Sequence, residues 1–352
     1  MPKTVKIEYN GTHFFSSEIL EKRKVFLLVF PIFICYSKTN HKGAMQMGKK
    51  IETMAIIGLG AVGINFAQHI QKHMGSNLWI VADETRLERY QKEGIYYNQK
   101  RCDFHYVDGK KAKTCADLVL ITTKFSGLPL AIETIQPIVD EHTLIMSGIN
   151  GISSEEILKK TFREEQVIYT VAQAMDATKI HNQVTCTKLG ELCFGDAMNG
   201  AQKEAVERIR VFFDAIHFPY TIKADIRHHQ WGKFMLNVGL NQVVAIHHGT
   251  YETIQKEGKP RTQMLAAMRE VMELSKYEGV YLSEAELDAW SHMCDSLSPQ
   301  GKPSMAQDID AKRKTEVELF ACEVLKRAQK YHLSCKMNAY LYDMIQQMEA
   351  AF

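Results

Sequence analysis

The sequence predicts an α/β protein: a parallel-sheet N-terminal domain followed by an all-helical C-terminal domain. Three observations carry this. A glycine-rich turn, Gly58-Leu59-Gly60-Ala61-Val62-Gly63, follows the first strand-like apolar run. Short apolar runs then alternate with amphipathic stretches as far as about residue 224, the pattern of a parallel sheet covered on both faces. Beyond Asp225 only helical periodicity remains. The first half therefore reads as Rossmann-type. The expected organisation is an extension over 1–52, a dinucleotide-binding domain over 53–224 and a helical substrate or catalytic domain over 225–352.

In chain order, Met54–Ile57 is the first strand and an amphipathic helix runs on to His73. Leu78–Ala82 is a second buried strand ending at Asp83, and Asp117–Thr122 a third. A helix from about Gly127 to Val139 leads to the strand Thr143–Met146 and the turn Gly148-Ile-Asn150-Gly151. Val167–Ala174, Val184–Leu189 and Glu191–Gly195 read as further strands at the domain edge. Ile226–His247, Arg261–Glu278, Glu284–Cys294 and Glu316–Lys330 read as helices.

A length of 352 residues suits two domains. Hydrophobic residues at 45% and charged residues at 24% exclude a disordered or fibrous chain. With 43 basic and 41 acidic residues the formal charge is +2, so neither nucleic acid nor an anionic membrane is an expected partner. The eight cysteines contain no CxxC pair, which points to reduced thiols and a cytoplasmic chain. Near the start, Lys22-Arg23-Lys24 precedes an apolar run, Val25–Tyr36. It is too short for a bilayer span of about 20 residues, and no small-x-small cleavage site follows it. It reads as an upstream extension of the true start, with Met45, Met47 and Met54 close by, or as a poorly ordered appendage, rather than as an export signal.

Several residues carry candidate chemistry. Gly58 permits the tight turn, Gly60 lets backbone approach a pyrophosphate, and Gly63 allows close helix–strand contact. The following helix N-terminus offers unpaired N–H groups to phosphates. Asp83 lies 20 positions beyond Gly63. A carboxylate there accepts bonds from ribose hydroxyls and repels a 2′-phosphate, which favours NAD(H). Arg86 and Arg89 could instead pair with a phosphate, or simply form a solvated helix face.

On the helix Ile226–His247, Lys233, Asn237 and Asn241 recur at i, i+4 and i+8 and share one face. The rest of that helix is apolar nearly all round, so it should be buried. Polar groups inside it need partners: either they line a wet cleft, or they cap neighbouring loops and snorkel to solvent. In the segment 302–316, Glu316 by itself reads as a residue of a helix start capped by Thr315, Ser304 as a loop hydroxyl, and Asp308 with Arg313 as an ion pair.

The order of these motifs resembles the ketopantoate reductase (2-dehydropantoate 2-reductase) family, from about Met54 to the C-terminus. The resemblance rests on Gly58–Gly63, Thr123-Lys124 and Asn150-Gly151. It also rests on Trp231-x-Lys233-x3-Asn237-x3-Asn241 and Pro303-Ser304-Met-x-Gln-Asp-Ile-x3-Arg313-x-Thr-Glu316. The family implies NADPH-dependent reduction of ketopantoate in pantothenate and coenzyme A biosynthesis. It implies Lys233 as general acid, with Glu316 as its partner and a contact of the substrate hydroxyl. Asn237, Asn241 and Ser304 would hold the substrate, and Asn150 would sit between nicotinamide and substrate. Lys124 would hold the cofactor or guide closure. One position departs: the family usually carries an arginine near the end of the second strand, where this chain has Asp83. NADP(H) is therefore favoured by resemblance, and NAD(H) stays open because of Asp83. The expected partner is a small 2-oxo acid, and a homodimer is compatible with this reading. Reductases of other 2-oxo acids or 3-hydroxy acids remain alternatives, as does a non-catalytic NAD(P) sensor, although a sensor has no need of the Lys233/Glu316 proton donor.

Overall fold

A computed structural model describes residues 49–352; the expectations for Val25–Tyr36 and for the rest of residues 1–48 lie outside them. The chain opens with β1 (Met54–Ile57), α1 (Ala61–Met74), β2 (Leu78–Ala82) and α2 (Glu84–Glu93). Three short strands follow, β3 (Tyr96–Tyr97), β4 (Lys100–Arg101) and β5 (His105–Asp108). Then come β6 (Leu118–Ile121), α3 (Leu128–Ile135), β7 (Leu144–Ser147), α4 (Ser154–Leu158) and β8 (Val167–Ile168). Next are β9 (Thr170–Gln173), β10 (Thr178–Ile180), β11 (Gln183–Thr185), β12 (Glu191–Phe194), α5 (Lys203–Ala215) and β13 (Tyr220–Ile222). The remainder is helical: α6 (Ile226–Ile246), α7 (Glu252–Gln255), α8 (Lys259–Tyr277), α9 (Glu284–Asp295), α10 (Ser304–Asp310), α11 (Ala321–Lys330) and α12 (Lys336–Glu349).

The central sheet has six parallel strands in the order β5-β2-β1-β6-β7-β8. In β1, β6 and β7 every residue is buried, as a sheet covered on both faces requires. Alternation assigns each face. Ala55, Ile57, Val119 and Ile121 join one core with the helical region, while Met54, Ile56, Leu118 and Leu120 join another with α1 and α5. This is a Rossmann-type sheet followed by a helical region. Among the described residues no helix is long and apolar enough to cross a membrane.

Three expected elements differ. The strand expected over Val184–Leu189 is only β11, which pairs with β10 and β3 in a separate small sheet. Val167–Ala174 is not one strand: β8 closes the parallel sheet, and β9 turns away to pair antiparallel with β12 in a second sheet, β13-β12-β9. The expected helix Glu316–Lys330 begins as a single 3-10 turn, Val317–Leu319, and breaks at Phe320 before α11. The cause is tertiary. Thr315 is held from the far end of the chain, its N–H and hydroxyl donating to Glu349 at 2.7 and 2.6 Å, and its Oγ1 accepts from the Val317 N–H at 3.2 Å, which supports only that single turn. The first N–H of α11, on Ala321, donates to Gln242 of α6 at 3.1 Å.

Helix α6 is the axis of the second half. Asp225 caps it by accepting from the His228 N–H at 2.9 Å. Most of its residues are buried, on faces pointing several ways, because α8, α9, α10 and α12 all pack against it.

Candidate active site

The glycine loop is built by close approach. Gly58 has φ +104°, and a Cβ there would stand 2.5 Å from the Thr123 N. A Cβ on Gly63 would stand 2.0 Å from the Gly58 carbonyl oxygen, so α1 can rest on the loop only if that position is bare. Helix α1 starts at Gly60 with neither a side-chain cap nor an acidic residue in its first turn. Its N–H groups and positive dipole end, framed by Leu59, Ala61 and Val62, are thus left for an anion. Beside the loop, the Thr123 hydroxyl is buried with no partner among the described residues. This donor set fits the pyrophosphate of a dinucleotide.

Asp83 has a structural task that spacing did not reveal. It is the N-cap of α2, accepting from the Arg86 N–H at 3.0 Å, and the Arg86 guanidinium closes back onto the same carboxylate. Burial raises its pKa, but these bonds outweigh that and hold it below the ordinary carboxylate value. In this structure Arg86 is paired with Asp83, and the two neutralise each other.

Lys124, at the end of β6, extends to the helical half. Its Nζ pairs with Asp308 of α10 at 2.9 Å and reaches the Lys314 carbonyl at 3.4 Å. Asp308 also accepts from Arg313 at 2.9 Å, the expected ion pair.

Lys233 is half-buried on α6 and lines a small internal cavity. Its Nζ donates to Asn150 Oδ1 at 3.0 Å and to the Ala172 carbonyl at 2.5 Å. Burial brings its pKa from the ordinary 10.5 down to about 8, while Cys193 and Glu316 pull the other way. Burial pushes the Cys193 thiol up to about 12, so it carries no charge near neutrality, and the other charge interaction on Lys233 is with Glu316. Glu316 is half-buried; lost solvation raises its pKa above the ordinary carboxylate value, whereas Lys124, the Phe125 N–H and the Asn150 amide act to lower it. Among the described residues the Lys233 ammonium forms no direct ion pair. Glu316 acts on it through space, with Asn150 facing both groups.

A water-sized cavity collects Asn150, Gln230, Lys233, Phe234 and Asn237. Asn237 and Asn241 are buried, and neither amide is engaged in a hydrogen bond among the described residues. Asn241, one turn further along α6, does not line that cavity. Ser304 is the first residue of α10, exposed, directly after Pro303. Sequence reasoning missed Gln230, one turn before Lys233, whose buried side-chain amide nitrogen has no hydrogen-bond partner among the described residues. Its spacing of three from Lys233 was the available signal. The Ala172 carbonyl carried no signal at all, because any residue supplies one.

Fold and site together define a two-part oxidoreductase, with a Rossmann-type half and a helical half that supplies a buried lysine. The chain belongs to the ketopantoate reductase family: residues 54–199 match Ketopantoate reductase PanE/ApbA, and residues 225–349 match Ketopantoate reductase PanE/ApbA C terminal. A 2-dehydropantoate 2-reductase of Vibrio cholerae is 24% identical over 308 residues, covering 85% of this chain and 98% of that one. Among solved structures, a D-mandelate dehydrogenase holding NADH and anilino(oxo)acetate superposes with a TM-score of 0.76 at 18% identity, covering 85% of this chain and 99% of that one. A dimeric ketopantoate reductase from Staphylococcus aureus gives a TM-score of 0.70 at 20% identity, with the same coverage of both chains.

Proposed function

We propose that the chain is a 2-dehydropantoate 2-reductase, reducing ketopantoate to pantoate in the cytoplasm for pantothenate and coenzyme A synthesis. NADPH is the proposed cofactor, the extension 1–52 lies outside the reaction, and a homodimer is the proposed assembly. The observation that carries this reading is Lys233: a half-buried ammonium fixed by Asn150 and the Ala172 carbonyl beside asparagine side chains, with its pKa brought down to about 8.

The bound nicotinamide supplies a hydride to the carbonyl carbon. The residues must do the rest. Lys233 has three N–H donors, two of them engaged, which leaves one for a substrate oxygen. As the carbonyl carbon gains the hydride, charge grows on that oxygen, and Lys233 stabilises it and then transfers its proton. Glu316 favours the charged form of Lys233 against burial, and its carboxylate is placed to accept from a substrate hydroxyl. Asn237, Asn241 and Ser304 hold carboxylate and hydroxyl oxygens without adding charge. Asn150 orients Lys233, and Lys124 holds the cofactor once it leaves Asp308.

Steady-state kcat/KM for ketopantoate against a panel of other 2-oxo acids, benzoylformate included, with NADPH and with NADH, tests the proposal. Ketopantoate with NADPH should lead the panel. A larger kcat/KM for another oxo acid would reassign the substrate.

A further inference from the structure

The short strands form a second layer over α1, a four-stranded sheet in the order β10-β11-β3-β4. One enclosed side chain fastens it there. Asn65 of α1 donates to the Leu189 carbonyl at 2.7 Å and accepts from the Tyr97 hydroxyl at 3.1 Å. The attachment brings β10 beside the glycine loop, where Lys179 donates from its Nζ to the Leu59 carbonyl at 2.5 Å.

Lys179 is half-buried and has no ion pair among the described residues. Burial holds its pKa below the ordinary lysine value, and the charge that reaches it comes from another cation, Arg89 on α2. Arg89 is exposed, rests against the ring of Tyr90 and forms no ion pair among the described residues. A half-buried cation with no anion beside it is unfavourable, and a second cation within range adds to that. A bound anion reverses the sign.

We infer that Lys179, with Arg89 beside it, binds the 2′-phosphate of a phosphorylated dinucleotide. This rests on the reading of the glycine loop as a dinucleotide site. The location supports it: in a Rossmann-type half the adenosine ribose lies between the glycine loop, where Lys179 meets the Leu59 carbonyl, and the end of the second strand, which is followed by α2 with its Arg89. The strand-end position carries Asp83, but Arg86 matches its charge, so the positive charge usually placed at that strand comes instead from the added sheet. Lys179 then sets cofactor specificity.

Binding of NADPH and of NADH to the full chain, titrated by fluorescence or calorimetry, tests this without reference to turnover. Lys179→Gln should weaken NADPH by about tenfold or more, the range for a lost charge-assisted contact. NADH should change by less than about threefold, and Lys179→Arg should keep NADPH affinity within about threefold. Arg89→Gln, at an exposed position, should weaken NADPH alone and by less, which keeps the test open if Lys179→Gln fails to fold. Equal weakening of both cofactors would mark a pyrophosphate or purely structural contact and overturn the inference, as would unchanged NADPH affinity in Lys179→Gln. The wild-type comparison is separate. If the wild type bound NADPH no more tightly than NADH, the proposed NADPH preference would fall, yet an NADPH-selective loss in Lys179→Gln would still establish the contact.

Discussion

At the glycine loop the working groups are backbone N–H groups, exposed at the start of α1 and shaped by what is missing from Gly58 and Gly63. Around Lys233 they are side chains, enclosed by apolar neighbours on a helix packed from several sides. The first region can bind an anion before any side chain has moved, and it tolerates change in everything except bulk. The second holds a cation away from water, so its chemistry depends on a few partners at fixed distances. One end is limited by sterics and the other by electrostatics, and substitutions should sort the same way.

The largest expected effect lies at the electrostatic end. Lys233→Ala should lower kcat by roughly 10²-fold or more, the range for a lost general acid. Cofactor affinity should change little, because the ammonium contacts Asn150 and the Ala172 carbonyl rather than the glycine loop. Near wild-type turnover in that variant would move the proton donor elsewhere.

Next comes the steric end. Gly63→Ala places a methyl group where the Gly58 carbonyl already stands, so overpacking should cost about 1–3 kcal/mol. A lowered Tm together with weakened dinucleotide binding is expected. An unchanged Tm would show that the loop can retreat from α1.

The pH profile sharpens the contrast. Lys233 donates only as an ammonium, and its pKa stands near 8. The kcat/KM for reduction should therefore be level below that value and fall about tenfold per unit above it, whereas oxidation of the hydroxy acid should rise through the same range. A reduction profile flat to pH 10 would mean that burial does not lower this lysine.

The smallest effect belongs to Asp83. As the cap of α2, its replacement by Ala should cost about 1 kcal/mol, with Asp83→Asn recovering most of it. Thermal melts of the two variants would check this. Equal losses would assign the effect to the Arg86 pair rather than to the cap.

These regions also differed in how openly the sequence declared them. The apolar run Met54–Ile57, the glycine turn and the amphipathic stretch after it are local, so strand, turn and helix could all be read. The face shared by Lys233 and Asn237 was legible because helical spacing is periodic. Strands β3, β4 and β10 are two or three residues long and carry no period, and of their sheet only β11 was read, within Val184–Leu189; the sheet's place comes from Asn65 and Tyr97, far apart in sequence. Glu316 was misread as a helix start because Glu349, which holds Thr315, arrives from the far end of the chain. Asp83 was read for its charge alone, although an acidic residue directly before a helix is also a cap.

Cys193 offers a way to time the breathing of this architecture. It sits on β12, fully enclosed, close enough to Lys233 for their charges to interact, and it is almost entirely thiol at neutral pH. Alkylating reagents attack the thiolate, so in the closed protein this sulfur is both inaccessible and chemically quiet. Its slow labelling would report how often the sheet beneath the lysine opens to solvent. A bound cofactor that holds the two halves together should lengthen that interval.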